Sequence, residues 1–128
     1  MSFSNYLETK VLNHVFGATA YTAPATMYLA LFTAVSDGEA GTVTEVSGGG
    51  YARQTVAFTA TAGNTISNTS AVEFPTATAS YGTVTHVGVY DASSGGNLLV
   101  YASLTTSKAI DTGDVFRVPA DDLDITLG

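Results

Sequence analysis

The chain has 128 residues, which is enough for one domain with its own hydrophobic core, and it contains no cysteine, so disulfides and cysteine-based metal sites are excluded. Four basic and eleven acidic residues give a net charge of −7 at pH 7. This charge argues against nucleic acid as a partner, because phosphate binding needs clustered Lys and Arg. No apolar run approaches the roughly 20 residues of a membrane-spanning helix, so no membrane partner is expected.

The first segment, residues 1–17, has the pattern of an amphipathic helix. Leu12 and Phe16 widen an apolar stripe that recurs at every fourth position, at Phe3, Leu7, Val11 and Val15. A helix of about twelve residues is marginal in water by itself, so the stripe must dock. We predict that it packs partly on its own domain and partly on a neighbouring subunit, because its apolar residues occupy more than one face.

Capping patterns bound this predicted helix. Asn5 followed by Glu8 fits a capping pair at its start, and Ser2 and Ser4 are alternative caps. Gly17 lies where a residue in the left-handed conformation would end the helix. The helix is therefore predicted to stop where the β-rich remainder of the chain begins.

The next stretch contains strand patterns separated by a polar segment. Residues 26–34, TMYLALFTA, are apolar on both faces and predict a central strand covered on both sides. Residues 35–50, VSDGEAGTVTEVSGGG, are polar, acidic and glycine-rich and predict a long loop, which either contacts a partner or is free. Residues 52–60, ARQTVAFTA, predict one strand with Val56 and Phe58 on the same face.

The second half of the chain continues with short strands. Residues 62–64 predict a turn, TISN predicts a short strand, and SAVEFP predicts another that Pro75 ends. The run GTVTHVGVYDASSGGNLLVYASLT predicts a hairpin whose turn lies between Asp91 and Gly96. The last segment predicts two strands, of which the second is an outer strand that points three side chains toward the core, Leu123, Ile125 and Leu127.

Seven or eight short strands at roughly even spacing predict an all-β fold. The expected architecture is an antiparallel β-sandwich, of jelly-roll or immunoglobulin-like type, with one N-terminal α-helix. We expect a single domain over residues 1–128, in which residues 1–17 form the helix and residues 21–128 form the sandwich.

The sequence contains no motif of an enzyme. It lacks GxSxG, HExxH and a Walker loop, so we expect no catalytic residue and no bound cofactor. Gly48, Gly49 and Gly50 lack the Lys and Ser or Thr that grip phosphates and instead predict a flexible loop.

The two histidines, His14 and His86, are candidate metal ligands. A zinc site would need both of them together with carboxylates from distant segments, because there is no cysteine. We interpret both as structural, with His86 in a strand and facing the same way as Val84 and Tyr90. No metal is expected.

Two further patterns near the end and middle of the chain are open to a functional interpretation. Asp121, Asp122 and Asp124 are close enough in sequence to bind calcium, but they lack the EF-hand spacing, so we interpret them as solvated protection of a sheet edge. The sequon that starts at Asn68 is interpreted as a chance match.

Four blocks in one order resemble a family of tailed-bacteriophage virion proteins. They are SFSNYLETKVLNHVFG followed by YTAPATMYLALFTA, then GGGYARQTVAF, then THVGVYDASSGGNLL, then GDVFRVPADDLDITL. Members of the family are described as capsid decoration (cement), minor capsid or tail fibre proteins. The resemblance implies a structural protein of the virion and names no catalytic residue.

Three hypotheses about function follow from this resemblance and the composition. The first is a capsid decoration protein that binds the major capsid protein on the outer surface of the assembled shell, as a homo-oligomer (dimer or trimer). The second is a tail fibre or baseplate component, and the third is a module that binds host-surface carbohydrate. The expected partner-binding residues are those of the helix stripe and the glycine loop, namely Phe3, Leu7, Val11, Val15, Gly48, Gly49 and Gly50.

Overall fold

The computed structural model describes residues 1–127, and the side chains of all of these except residues 61 and 62. The described residues form one α-helix and eleven β-strands. In chain order the elements are β1 (Ser2–Phe3), α1 (Asn5–Val15), β2 (Met27–Asp37), β3 (Thr42–Glu45), β4 (Gln54–Val56), β5 (Phe58–Ala62), β6 (Thr65–Asn68), β7 (Val72–Glu73), β8 (Gly82–Tyr90), β9 (Leu98–Ile110), β10 (Arg117–Val118) and β11 (Asp124–Thr126).

The largest sheet is antiparallel and has the order β1-β9-β8-β2-β3, with β4 also paired to β2. Strand β2 therefore has neighbours on both edges. Its middle residues have no exposed surface at all, and these are Leu29, Ala30, Leu31 and Phe32. The prediction that residues 26–34 form a central strand covered on both sides is confirmed.

One face of this sheet packs on two smaller sheets, β5-β6-β11 and β7-β10. Leu29 and Leu31 belong to the same buried cluster as Phe74 and Phe116, whose rings meet edge to face at a centroid distance of 5.9 Å. Burial of apolar surface between these layers, at about 25 cal/mol per Å², supplies the main driving force of folding. The fold is all-β and sandwich-like, as the sequence predicts.

The opposite face of the large sheet carries a smaller core. It contains Phe32, Tyr90 and Leu98, and the rings of Phe32 and Tyr90 meet edge to face with centroids 6.1 Å apart. The guanidinium carbon of Arg53 lies 3.6 Å from the centre of the Tyr90 ring. A cation over an aromatic face is attracted by the ring quadrupole, so Arg53 closes this second core.

The prediction that His86 faces the same way as Val84 is wrong. The register of β8 against β9 shifts between these residues, so that Val84 pairs with Lys108 and His86 pairs with Ser103. An irregularity of this kind breaks the two-residue alternation of a strand. Val84 is consequently buried in the first core, whereas His86 lies opposite Phe32 of the second.

The predicted loop over residues 35–50 is in fact mostly a hairpin. Strand β2 continues to Asp37, and β3 pairs back on it from Asp37–Thr42 to Phe32–Glu45. Thr alternates with Val in β3, and such a polar strand is stable at a sheet edge because one side stays in water. A turn over residues 38–41 connects the two strands.

The single strand predicted over residues 52–60 is divided into two. β4 pairs with β2. After one intervening residue, β5 begins and pairs with β6 in another sheet. Val56 is buried in the first core while Phe58 is only partly buried. The chain changes sheets at Ala57, whose carbonyl accepts a hydrogen bond from the Thr69 N–H.

The N-terminal helix is shorter than residues 1–17, because residues 2 and 3 form a strand on the edge of the large sheet. Ser4 is the N-cap: its hydroxyl oxygen accepts from the Leu7 N–H at 3.3 Å and donates to the Leu98 carbonyl at 2.5 Å. Asn5, the predicted cap, is the first helical residue. The left-handed residue after the helix is Ala18, with φ of 53°, and not Gly17.

The last strand is an outer strand, as predicted, since β11 pairs only with β6. Leu123 is buried and Ile125 is partly buried against the first core. Leu127 was expected on the same face but is 59 % exposed. It lies one residue past the end of β11, so the alternation of the strand no longer fixes its direction.

Candidate partner-binding surface

The helix stripe divides into an inner and an outer part. Phe3 of β1 and Leu7 of α1 are partly buried and pack against the first core. Val11 is half-buried, whereas Val15 is 60 % exposed. Phe3 and Leu7 thus hold the helix on its own domain, and only the later part of the stripe faces outward.

Besides Val15, two further apolar side chains of this segment are largely exposed: Leu12 in α1 and Phe16 just after it, with exposed fractions of 58 % and 82 %. The sequence identified both as widening the stripe but did not place them at a binding surface. Leu12 and Phe16 are four residues apart and therefore lie on one side of the helix. No residue of α1 is buried, which is unusual for a helix with so many apolar residues.

A groove runs between α1 and the end of β11, and we call it the helix groove. Its volume is about 470 Å³. The helix contributes Val11 and Leu12 to it, and the other side is formed by β1 and by Leu127. The complete set of lining residues is Met1, Ser2, Phe3, Glu8, Val11, Leu12, Glu39, Thr126 and Leu127. Five of these nine residues are apolar and four are polar or charged, so its walls are of mixed character.

Two carboxylates, Glu8 and Glu39, line the helix groove. The amide of Asn5, assigned with its nitrogen toward them, donates to Glu39 Oε2 at 3.2 Å and to Glu8 Oε1 at 3.3 Å. The Tyr101 hydroxyl donates to Glu39 Oε1 at 2.8 Å. Neither carboxylate takes part in the two ion pairs found among residues 1–127. The groove thus combines apolar side chains with two carboxylates.

The glycine triplet, Gly48 to Gly50, for which the composition predicts a flexible loop, forms a hydrogen-bonded turn. All three residues have positive φ, of 76°, 63° and 79°. The Gly48 carbonyl accepts from the Tyr51 N–H at 3.0 Å, and the Gly49 carbonyl accepts from the Thr78 N–H at 2.9 Å. A side chain at Gly49 would place its Cβ 2.6 Å from the Ala79 carbonyl oxygen. The triplet lies apart from the residues that line the helix groove.

A charged cluster around Arg53 ties the loop after β8 to strand β3. Its guanidinium donates to both carboxylate oxygens of Glu45, at 2.8 and 2.9 Å, and to the carbonyls of Ala92 and Gly95. The Tyr51 hydroxyl donates to Glu45 Oε2 at 2.6 Å and accepts from the Leu31 N–H. Because every one of these groups has a hydrogen-bond partner inside the protein, we interpret the cluster as structural. It holds the loop after β8 against strand β3.

The charged cluster shifts the ionisation of its members. Burial by itself would raise the pKa of Glu45, but hydrogen bonds from Arg53 and Tyr51 and the charge of Arg53 outweigh it and lower the pKa below its ordinary value. Burial and the hydrogen bond to Glu45 both raise the pKa of Tyr51. The pair Glu45 and Arg53 is therefore ionised at neutral pH.

The histidines and aspartates do not come together. His14 Nδ1 accepts from the Tyr21 N–H at 3.0 Å, and His86 Nδ1 shares a hydrogen bond with the Thr85 hydroxyl at 2.8 Å. Asp124 accepts from the Ser67 hydroxyl across the β6–β11 pair. No group of three or more His, Cys, Asp or Glu among the described residues is placed to hold a metal ion.

The sequon asparagine is inaccessible. Asn68 has no exposed surface, and its amide nitrogen donates to the carbonyls of Ser70 and Pro119, both at 2.9 Å. The amide oxygen accepts from the N–H groups of Asp122 and Leu123. A glycan cannot be attached to this side chain in the folded protein.

No helix within residues 1–127 is long and apolar enough to cross a membrane.

Comparison with known proteins identifies a family over almost the full chain. Residues 2–126 match the model of a family described as podophage GP4 fiber I protein gp80. No curated protein matches the chain. The match includes the helix, all eleven strands and the residues of the helix groove except Met1 and Leu127. The chain therefore belongs to the podophage GP4 fiber I protein gp80 family, a family of phage virion structural proteins.

Proposed function

We propose that the chain is a non-enzymatic structural component of a phage fibre, where it acts by shape and adhesion. The observation that carries the proposal is the family match over residues 2–126, whose description names a fibre protein. An apolar strip on α1, exposed in the isolated chain, supports a protein that is assembled with others. The low share of charged residues, 12 %, agrees with a surface that is partly covered in the virion.

A second candidate is a capsid decoration protein that binds the major capsid protein. It is favoured by the compact sandwich of residues 1–127, which has neither an extended stalk nor repeated units. A decoration protein adds stability by binding the assembled shell and not the free subunits. The two candidates differ in where copies of the chain sit on the particle.

Immunogold labelling of purified virions tests both candidates. For a fibre component we expect label confined to the tail fibres, and none when the antibody is first absorbed with purified chain. Label spread over the faces of the head would overturn the fibre proposal in favour of decoration. Intact and disrupted virions that both remain unlabelled would remove both candidates.

Sedimentation with undecorated capsids of the same phage gives an independent test. A fibre component is expected to stay in the supernatant at micromolar concentration, whereas a decoration protein would sediment with the shells. Light scattering of the purified chain tests the expected homo-oligomer, for which the mass would be two or three times that of one chain.

A further inference from the structure

We propose that the helix groove binds an extended segment of a different protein, in which apolar side chains stand next to Lys or Arg. That this protein belongs to the same virion rests on the function proposed above. The chemistry of the segment is inferred separately, from the apolar side chains and the two carboxylates of the groove and the pairing of every basic side chain of this chain.

The apolar part of the inference comes from Leu12 and Leu127, which both line the groove. Both are more than half exposed, at 58 % and 59 %, although each belongs to a concave surface. Concave apolar surfaces bind apolar side chains because both partners lose contact with water. The strip continues beyond the groove through Phe16, which is 82 % exposed. A segment with several apolar side chains is therefore needed to cover it.

The charge of the partner is inferred from Glu8 and Glu39. Both line the groove, and the amide of Asn5 links them without neutralising either. An acidic segment would be repelled by the two carboxylates. An uncharged apolar segment would displace the water that hydrogen-bonds to them and would supply no hydrogen-bond donor in its place. A Lys or Arg beside the apolar side chains would restore the lost hydrogen bonds and pair with the charge.

A second copy of this chain is disfavoured as the source of that cation. Its four basic side chains already have partners within the described structure, and each copy carries a net charge of −7. Arg53 is held by Glu45, and Arg117 lies 3.8 Å from Glu73. The remaining two stand over aromatic rings: Lys10 Nζ is 5.5 Å from the ring of Tyr6 and Lys108 Nζ is 5.8 Å from the ring of Phe116. The occupant is therefore a different chain with basic residues.

Designed peptides test the chemistry without knowledge of the natural partner. We would use three fluorescein-labelled 12-residue peptides, in which Leu alternates with Lys, Leu alternates with Glu, or Ser alternates with Lys. Fluorescence anisotropy with the purified full chain is expected to give a micromolar dissociation constant for the Leu/Lys peptide. The other two peptides should bind at least about tenfold more weakly, because each lacks one of the two required contacts.

Matched variants separate the groove from general attraction to an acidic protein. L12S and L127S should each weaken binding of the Leu/Lys peptide by about tenfold, since each removes an apolar side chain from the groove. E8Q should weaken it about threefold and reduce its dependence on salt. V115S and E73Q make the same kinds of change, an apolar residue to Ser and Glu to Gln, at exposed positions outside the groove and should leave the affinity unchanged.

All five substitutions are at partly or largely exposed positions, and circular dichroism checks that each variant is folded. Equal binding of the three peptides, or equal losses for groove and control variants, would overturn the inference. A wild-type dimer that L12S dissociates in sedimentation velocity would also overturn it, because the occupant would be a second copy.

An array of 12-residue peptides that tile the other structural proteins of the virion then tests the source. A peptide of the array that binds the wild-type chain but not the L12S variant would identify the partner. A blank array together with binding of the Leu/Lys peptide would leave the groove chemistry intact but refute a virion partner. Failure of the Leu/Lys peptide would refute the groove inference while the labelling test of the fibre proposal stands.

Discussion

At the scale of single residues, Asn68 connects the end of β6 to the segment before β11 through one buried amide. Its side chain makes four hydrogen bonds to backbone groups, three of them to residues 119–123 between β10 and β11. We expect N68A to lower the free energy of unfolding by about 3 kcal/mol or more, because buried donors and acceptors would lose their partners. Urea denaturation followed by circular dichroism measures this change.

Asn13 provides the matched control for Asn68. It is exposed on α1, so N13A should change the free energy of unfolding by no more than about 0.5 kcal/mol. If N68A changed the free energy of unfolding as little as N13A, the hydrogen bonds of Asn68 would not stabilise the turn before β11.

The Glu45 carboxylate makes the free energy of unfolding depend on pH in the acidic range. Its pKa is lower in the folded chain than its ordinary value of 4.5, so the ionised carboxylate stabilises the fold above that pH. This contribution is lost as the pH falls below 4.5 toward the folded pKa, because in that range the unfolded chain takes up a proton that the folded chain does not. We expect E45Q to be less stable at pH 7, since Arg53 loses its charged partner, but to lose less stability on acidification.

Urea denaturation of both proteins at pH 7, 5, 4 and 3 measures this difference. Glu73 is the control, because its carboxylate is exposed and lies 3.8 Å from exposed Arg117. E73Q should follow the wild-type pH dependence, since surface ion pairs contribute little. Parallel curves for wild type and E45Q would contradict the role given to Glu45.

At the scale of elements, the glycine turn between β3 and β4 allows two effects of a substitution to be measured separately. One is the cost of a positive φ, and the other is a steric clash of the added Cβ. Gly48 and Gly49 both have positive φ, but only Gly49 has a backbone atom in the space of a Cβ. We expect G48A to lower the melting temperature by an amount that corresponds to about 1 kcal/mol, the cost of the left-handed conformation. G49A should cost at least about 2 kcal/mol, because the Ala79 carbonyl must also move.

Gly63 gives the reference for this series. Its φ is not in the left-handed region, and beyond its chain neighbours no atom lies within 4 Å of the place that an added Cβ would occupy. G63A should therefore be neutral or slightly stabilising in thermal unfolding. An equal effect of all three substitutions would show that neither the backbone conformation nor the contact with Ala79 matters.

The sequence predicts elements well where a strand is long and buried. The two-sided apolar run of residues 26–34 and the paired runs that flank Asp91 to Gly96 both appear where they are expected. It fails for residues 35–50 and 52–60. In both, the pairing partner and not the local composition decides the structure: Thr-rich β3 is stabilised by β2, and β4 and β5 join different sheets.

The candidate site could be predicted only in part, for the same reason. Leu12 and Phe16 can be found from helical spacing. Glu39 and Leu127 cannot, because they reach the helix groove from a turn and from the end of the last strand. Nothing in their local sequence indicates which helix they approach.

At the scale of the whole molecule, the N-terminal segment is part of the fold and not an appendage. Phe3 and Leu7 pack on the first core, and Ser4 is buried and bonded to β9. We expect deletion of residues 1–17 to lower the free energy of unfolding by several kcal/mol, on the order of 3–5, through lost burial and hydrogen bonds. Urea denaturation measures this loss.

Loss of assembly in the deletion variant would therefore not by itself identify a contact surface. The double variant L12S/F16S is the control, because both side chains are exposed and the inner part of the helix is retained. It should unfold like the wild-type chain. A deletion variant with wild-type stability would contradict the role of the N-terminal segment in the core.

The glycine triplet has a consequence for chemical synthesis of this protein. Three successive residues with positive φ have a backbone conformation that suits D-amino acids and strains L-amino acids, whereas achiral glycine adopts it freely. A D-alanine at position 48, whose preferred φ is positive, would hold the backbone in its native shape. It would rigidify this corner of the molecule in a way that no genetically encoded substitution can.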